Sequence, residues 1–137
     1  AQEYIFARNE AIRQNKPVRL DVRSSCYGLT SQASACDCRK TASSDGDFCE
    51  LKRDGDWRNI SLTAGSAGGV TAFDGLVFDS VRGLPVASNG FSVLPDTQTA
   101  DIAQAGVGSI KISLSVIGSV CISSAGSTKI AGYADAC

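Results

Sequence analysis

The stretch AQEYIFARNEAIRQNKPVRLDVR, residues 1–23, changes its periodicity in the middle. Residues 1–15 contain no Gly or Pro, and helical spacing puts Tyr4, Ile5, Ala11 and Ile12 on one face with Arg8 and Glu10 elsewhere. That pattern predicts an amphipathic helix over about residues 1–16. Asn15 is a stop signal, and Pro17 cannot continue the helix: it lacks a backbone N–H and holds Lys16 in extended geometry. From there the period falls to two. Val18, Leu20 and Val22 alternate with Arg19, Asp21 and Arg23, as expected of a strand with one face buried and one wet. A helix feeding directly into a sheet makes the fold class α+β. No capping residue precedes Ala1 and no methionine occurs anywhere, so the helix is expected to be the cut end of a longer one.

Beyond this junction, residues 24–56 turn to Ser, Asp, Gly and Cys, with four of the six cysteines: Cys26, Cys36, Cys38 and Cys49. So few large apolar residues predict a loop region that needs covalent closure to stay ordered, with room for short strands near Phe48 and Leu51. An even number of cysteines in a chain of this length reads as disulfides and an oxidising compartment. A bridge between Cys36 and Cys38 is geometrically poor. That leaves Cys26 with Cys36 and Cys38 with Cys49, or the crossed alternative, and spacing does not choose between them. Cys121 and Cys137 then pair by elimination. A tetrathiolate zinc site fits badly, because Cys36-Asp37-Cys38 leaves one intervening residue where structural zinc sites use two to four.

Residues 57–137 read as strands punctuated by Gly and Pro turns. The expected strands are 57–62, 76–79, 84–86, 91–94, 110–116, 120–123 and 128–131, the last three as a meander. Ile110, Ile112, Leu114 and Val116 alternate with polar residues as a half-exposed antiparallel strand should. With 137 residues and ordinary apolar content (43%), one domain over 1–137 is expected. No run approaches the roughly 20 apolar residues that cross a bilayer.

Thirteen basic against 14 acidic residues leave a net charge of -1, and no general field to hold nucleic acid. Arg8, Arg13, Lys16, Arg19 and Arg23 crowd the start, but Glu3, Glu10 and Asp21 interleave with them, which reads as a solvated helix face and strand edge. The chain has no histidine, so the usual general base and the Ser/His and Cys/His nucleophile pairs are absent. Paired carboxylates remain as candidates for glycosidic chemistry: Asp45 with Asp47, Asp54 with Asp56, Asp74 with Asp79. They sit among Gly and Ser, where Asp makes turns. Ser43 to Asp47 and Asp54 to Asp56 have the oxygen donors of a calcium loop without its spacing. The run LTAGSAGGV, residues 62–70, is a weak phosphate-loop echo read as a flexible loop, and Asn59-Ile60-Ser61 matches a glycosylation sequon inside an expected strand. None of these points to an enzyme or to a metal, cofactor or small-molecule substrate.

Three segments carry a family resemblance: residues 7–20, ARNEAIRQNKPVRL; residues 78–83, FDSVRG; and residues 120–130, VCISSAGSTKI, closed by Cys137. Together they resemble the GspH/FimT family of type IV pilin-like proteins, with the C-terminal part similar to its FimU-like branch. The likeness covers roughly half the chain and leaves out the cysteine-rich insert. It implies a pilin-like fold in which Tyr4, Ile5, Ala11 and Ile12 pack the half-helix onto the sheet. It further implies an upstream apolar helix half that anchors the precursor in the bacterial inner membrane and later enters the filament core, with the domain first periplasmic and then on an extracellular pilus. The partners so implied are other minor pilins and the major pilin, and the role is priming of type IV pilus assembly with a place at the tip; a GspH-like pseudopilin of type II secretion has the same junction. A FimT-like module binding DNA or a surface ligand through the cysteine-rich insert is a further alternative. DNA-binding FimT-like members resemble each other in an Arg-rich C-terminal motif. Here that region is Gly126-Ser127-Thr128-Lys129, with Lys129 alone charged, so nucleic acid is not expected as a partner.

Overall fold

The computed structural model describes residues 2–55, 57, 59–66, 74–126, 129–134 and 136–137. Helix α1 (Gln2–Gln14) leads into β1 (Val18–Arg23), β2 (Cys26–Thr30), β3 (Lys52–Gly55), β4 (Ile60–Ser66), β5 (Leu76–Phe78), β6 (Pro85–Val86), β7 (Gln98–Gln104), β8 (Gly108–Leu114) and β9 (Val120–Ala125). They form two antiparallel sheets, ordered β3-β2-β1-β5-β6 and β4-β7-β8-β9. One apolar core joins the helix to both, through Tyr4, Leu20, Leu29, Leu62, Phe78 and Leu114 among others.

The helix ends as its sequence demands. Asn15 adopts the left-handed conformation (φ 51°), its N–H reaches the Ile12 carbonyl at 3.2 Å, and the Lys16 N–H reaches the Ala11 carbonyl at 3.2 Å. This is the doubly bonded Schellman stop, with Pro17 just beyond it. Asn15→Ala is expected to cost about 1 kcal/mol, because a Cβ without the asparagine amide disfavours that backbone, while Asn15→Gly should hold or gain. Urea midpoints of the two variants check it.

The helix face differs from the expected one. Tyr4, Ala7 and Ala11 lie against the sheet, and the Tyr4 ring meets Phe78 with centroids 5.9 Å apart. Ile5 is 62% and Ile12 47% exposed, so the reading that packed them on the sheet is corrected. The reason is steric. The inward residues of β1 and β5 (Val18, Leu20, Leu76, Phe78) already fill the layer, and fully buried Ala7 and Ala11 let the helix backbone come close.

β1 is also not wet on its second face. Leu20, Leu29 and Leu76 point to the helix, whereas Asp21, Gly28 and Thr30 point the other way and are covered. The cover is residues 31–51, stapled by Cys26–Cys38 and Cys36–Cys49, the crossed pairing. All four cysteines are buried as one cluster. The expected loop region therefore contributes strands at both ends, β2 and β3, and a roof between them.

In the second sheet the meander is β7-β8-β9, one strand earlier than expected. β7, QTADIAQ, was not anticipated: its inward positions are Gln98, Ala100 and Ile102, too mixed to announce a strand. Residues 91–94 form only an isolated bridge from Val93 to Val86, with Phe91 and Val93 exposed. Of the strand expected at 128–131, residue 128 lies outside the described residues and 129–131 are not strand; the tail instead bridges β9 through Ser123 and Ala134. Cys121–Cys137 ties it down. Thr63 to Ser66, expected as loop, belong to β4, and residues 67–70 lie outside the described residues. Among the described residues no helix is long and apolar enough to cross a membrane.

Candidate interaction surface

Because α1 buries its Tyr4-Ala7-Ala11 stripe, its other side is left carrying Ile5 and Ile12 outward. A turn meets that side. Asp79 closes it, accepting the Val81 N–H at 2.9 Å and the Arg82 Nε–H at 2.6 Å on its carboxylate, while its carbonyl takes the Gly83 N–H at 2.8 Å. The Val81 amide first, then the Arg82 side chain, hold the Asp79 carboxyl below the usual carboxylate range. Gly83 sits at φ 63° against the helix: a Cβ there would stand 2.9 Å from Arg8 Nε and 2.9 Å from Ile12 Cδ1. Two positions before it, Val81 is 83% exposed. The helix flank and this turn thus present Ile5, Ile12 and Val81 outward, with Gly83 seated against the helix.

The candidate chemistry residues do other work. Asp74 accepts the Val22 N–H at 2.8 Å and pairs with Arg23 at 3.3 Å, and Asp79 is spent on its turn. Asp54 takes the Tyr27 hydroxyl at 3.5 Å, and Asp56 lies outside the described residues. The backbones of Asp45 and Asp47 hold the insert, through bonds to Phe48 and Asp37. Asn59, in the sequon, is an exposed left-handed turn residue (φ 60°) ahead of β4 rather than within it. Among the described residues no three His, Cys, Asp or Glu side chains converge to hold a metal ion, and the cysteine sulfurs are all in disulfides.

The early basic cluster is dispersed. Arg13 pairs with Glu10, Arg19 with Asp21 and Arg23 with Asp74, so no continuous basic face forms from these three. Hydrogen bonds from Arg13, then Gln14, lower the Glu10 carboxyl to about 2. Glu3 reaches across from α1 to Lys52 of β3 at 2.8 Å, and that ammonium also lies 5.4 Å from the Phe6 ring centroid. Burial pushes the Tyr27 phenol up, helped by Glu3 and Asp54.

One N-terminal helix on antiparallel sheets, with disulfide-bonded segments outside, is the architecture of a pilin-like α+β domain. The family model for type II transport protein GspH matches residues 1–118, and the chain belongs to that family of pilin-like proteins. No curated protein is similar enough to match. Among solved structures, the crystal structure of the type IV minor pilin FimU of Pseudomonas aeruginosa is 18% identical with a TM-score of 0.49; the match covers 96% of this chain and 87% of that one.

Proposed function

We propose that the chain is a non-enzymatic assembly subunit, a minor pilin that primes type IV pilus assembly and remains near the tip. The observation that carries the assembly role is family membership spanning the helix, the helix-strand junction and both sheets up to residue 118. The disulfides and the FimU-like C-terminal run closed by Cys137 favour the pilus. The exposed Ile5, Ile12 and Val81 support it, since apolar side chains held outward on a helix and a hydrogen-bonded turn suit burial against a neighbouring subunit. The partners are the other minor pilins and the major pilin, with an upstream apolar helix as membrane anchor before assembly, in the periplasm. A second reading keeps the fold and changes the machine: the family's own description is type II transport, which favours a pseudopilin.

Size-exclusion and pull-down against the soluble domains of minor pilins, and separately of type II pseudopilins, distinguish the two. A complex with minor pilins is the expected result; a complex with pseudopilins alone replaces it by the second reading. DNA retention in a parallel gel shift, without partner binding, overturns both. Ile5→Glu and Val81→Glu should weaken the complex at least about tenfold, the effect of losing roughly 1.4 kcal/mol of interface burial, with thermal unfolding unchanged because both side chains are exposed.

A further inference from the structure

The disulfide-stapled roof over the first sheet stops short of one corner. There, a cleft of about 290 Å³ opens between residues 31–33 and 88–91, with Arg19 and Val77 among its lining residues and Pro17 beside them. That volume is near the lower end of small-molecule sites, which start at roughly 300 Å³. Asp21, only 1% exposed, fixes Arg19 from behind: Arg19 Nε donates to Asp21 Oδ1 at 2.8 Å, and Asp21 Oδ2 accepts the Cys36 N–H at 2.9 Å. Both carboxylate oxygens are therefore engaged. The two terminal nitrogens of Arg19 have no acceptor among the described residues, although the side chain is only 17% exposed. Asp21 thus holds the guanidinium in place with its forked donors turned to the cleft, a geometry that matches a bidentate acceptor such as a carboxylate.

The walls narrow the choice. Asn89 is pinned, its Oδ1 accepting the Phe91 and Ser92 N–H groups at 2.9 Å each, so the 88–91 side is a built turn. It displays the Phe91 ring, 85% exposed, at the rim. Gln32 brings a side-chain amide from the insert. Glu50, in the insert, accepts from the Thr30 and Ser31 hydroxyls at 2.6 and 2.9 Å. Gly75 (φ 83°) keeps the space beside Arg19 open, since a Cβ there would lie 2.9 Å from Nη2. The neighbouring edge of β6 is already taken by the Val86–Val93 bridge, which leaves no free ladder there for an extended peptide.

We infer that this cleft binds an acidic sugar, its carboxylate received by the Arg19 fork, its hydroxyls by Gln32 and the serines, and its apolar ring face by Phe91. The occupant is one carboxylate-bearing monosaccharide unit of a surface glycan, a function additional to subunit assembly and independent of which partners the chain assembles with.

Titration calorimetry of the purified 137-residue chain with glucuronate, N-acetylneuraminate, glucose and triglycine tests it. At least one acidic sugar should bind at least about tenfold more tightly than glucose and triglycine. Phe91→Ala and Gln32→Ala, both on exposed or half-exposed positions, should weaken it severalfold without moving the melting temperature, and Arg19→Lys should lose the preference for acid over neutral sugar. Equal binding of glucose, tighter binding of triglycine, no saturation by any probe, or acidic-sugar affinity unchanged in Phe91→Ala and Gln32→Ala would each overturn the inference.

Discussion

Gly28→Ala is expected to yield a protein with two titratable thiols, or one that no longer folds. Gly28 lies on β2, flanked by β1 and β3, directly beneath the Cys36–Cys49 bridge. A Cβ added there would penetrate Cys49 Sγ and stand 2.7 Å from Cys49 Cβ and 3.1 Å from Cys36 Sγ. Neither side can yield: β2 is hydrogen-bonded on both edges, and the bridge is held at the other end by the Cys36 N–H bond to buried Asp21. Overpacking of a dense layer and loss of a disulfide each cost a few kcal/mol, so the combined loss is about 3 kcal/mol or more. Gly46→Ala is the control, since a Cβ there meets nothing within 4 Å. Thiol titration with denaturant unfolding of both variants decides it; a Gly28→Ala protein with no free thiols and unchanged stability would refute this account of the roof.

Asp21→Ala should be nearly as damaging. It leaves the Arg19 guanidinium short of its only acceptor among the described residues and orphans the Cys36 N–H. Breaking a buried pair from one side costs about 3–5 kcal/mol, and the 17% exposure of Arg19 puts this case near the lower figure. Asp21→Asn keeps an acceptor and should lose less. Replacing both members, Arg19→Met with Asp21→Leu, should recover more than half of the loss, because no unpaired charge then remains. A double-mutant cycle read by urea unfolding measures the coupling.

Part of this architecture is legible in the sequence. The helix stop at Asn15 and Pro17 and the alternation of Val18, Leu20 and Val22 are local, and local chemistry fixes them. The helix face is not legible locally, because apolar ranking favours Ile5 and Ile12, while the close approach of helix to sheet selects alanine at 7 and 11. β2 is not legible because its covered side packs on disulfides and a buried ion pair, so the usual aliphatic alternation is missing, while β3 begins just past the short strand expected near Leu51. Phe91 and Val93 read as strand positions by their hydrophobicity, yet beside the turn in which Asn89 accepts the Phe91 and Ser92 N–H groups both side chains are exposed. The cleft at Arg19 joins residues from β1, the insert and the 88–91 turn, a juxtaposition that no local pattern announces.

The crossed bridges bear on how the protein matures. Native pairs are separated by 12 and 13 residues, whereas the uncrossed pairs, Cys26–Cys36 and Cys38–Cys49, would be 10 and 11 residues apart. Loop-closure entropy changes so slowly with length that a nascent oxidising chain gains almost nothing by choosing one set over the other. Selection must come from the sheet, once β1 and β2 have paired and brought Asp21 and Gly28 beneath the insert. Oxidative folding of this domain is therefore expected to pass through isomers until the strands are in register, and a thiol-disulfide isomerase should speed its arrival more than an oxidase does.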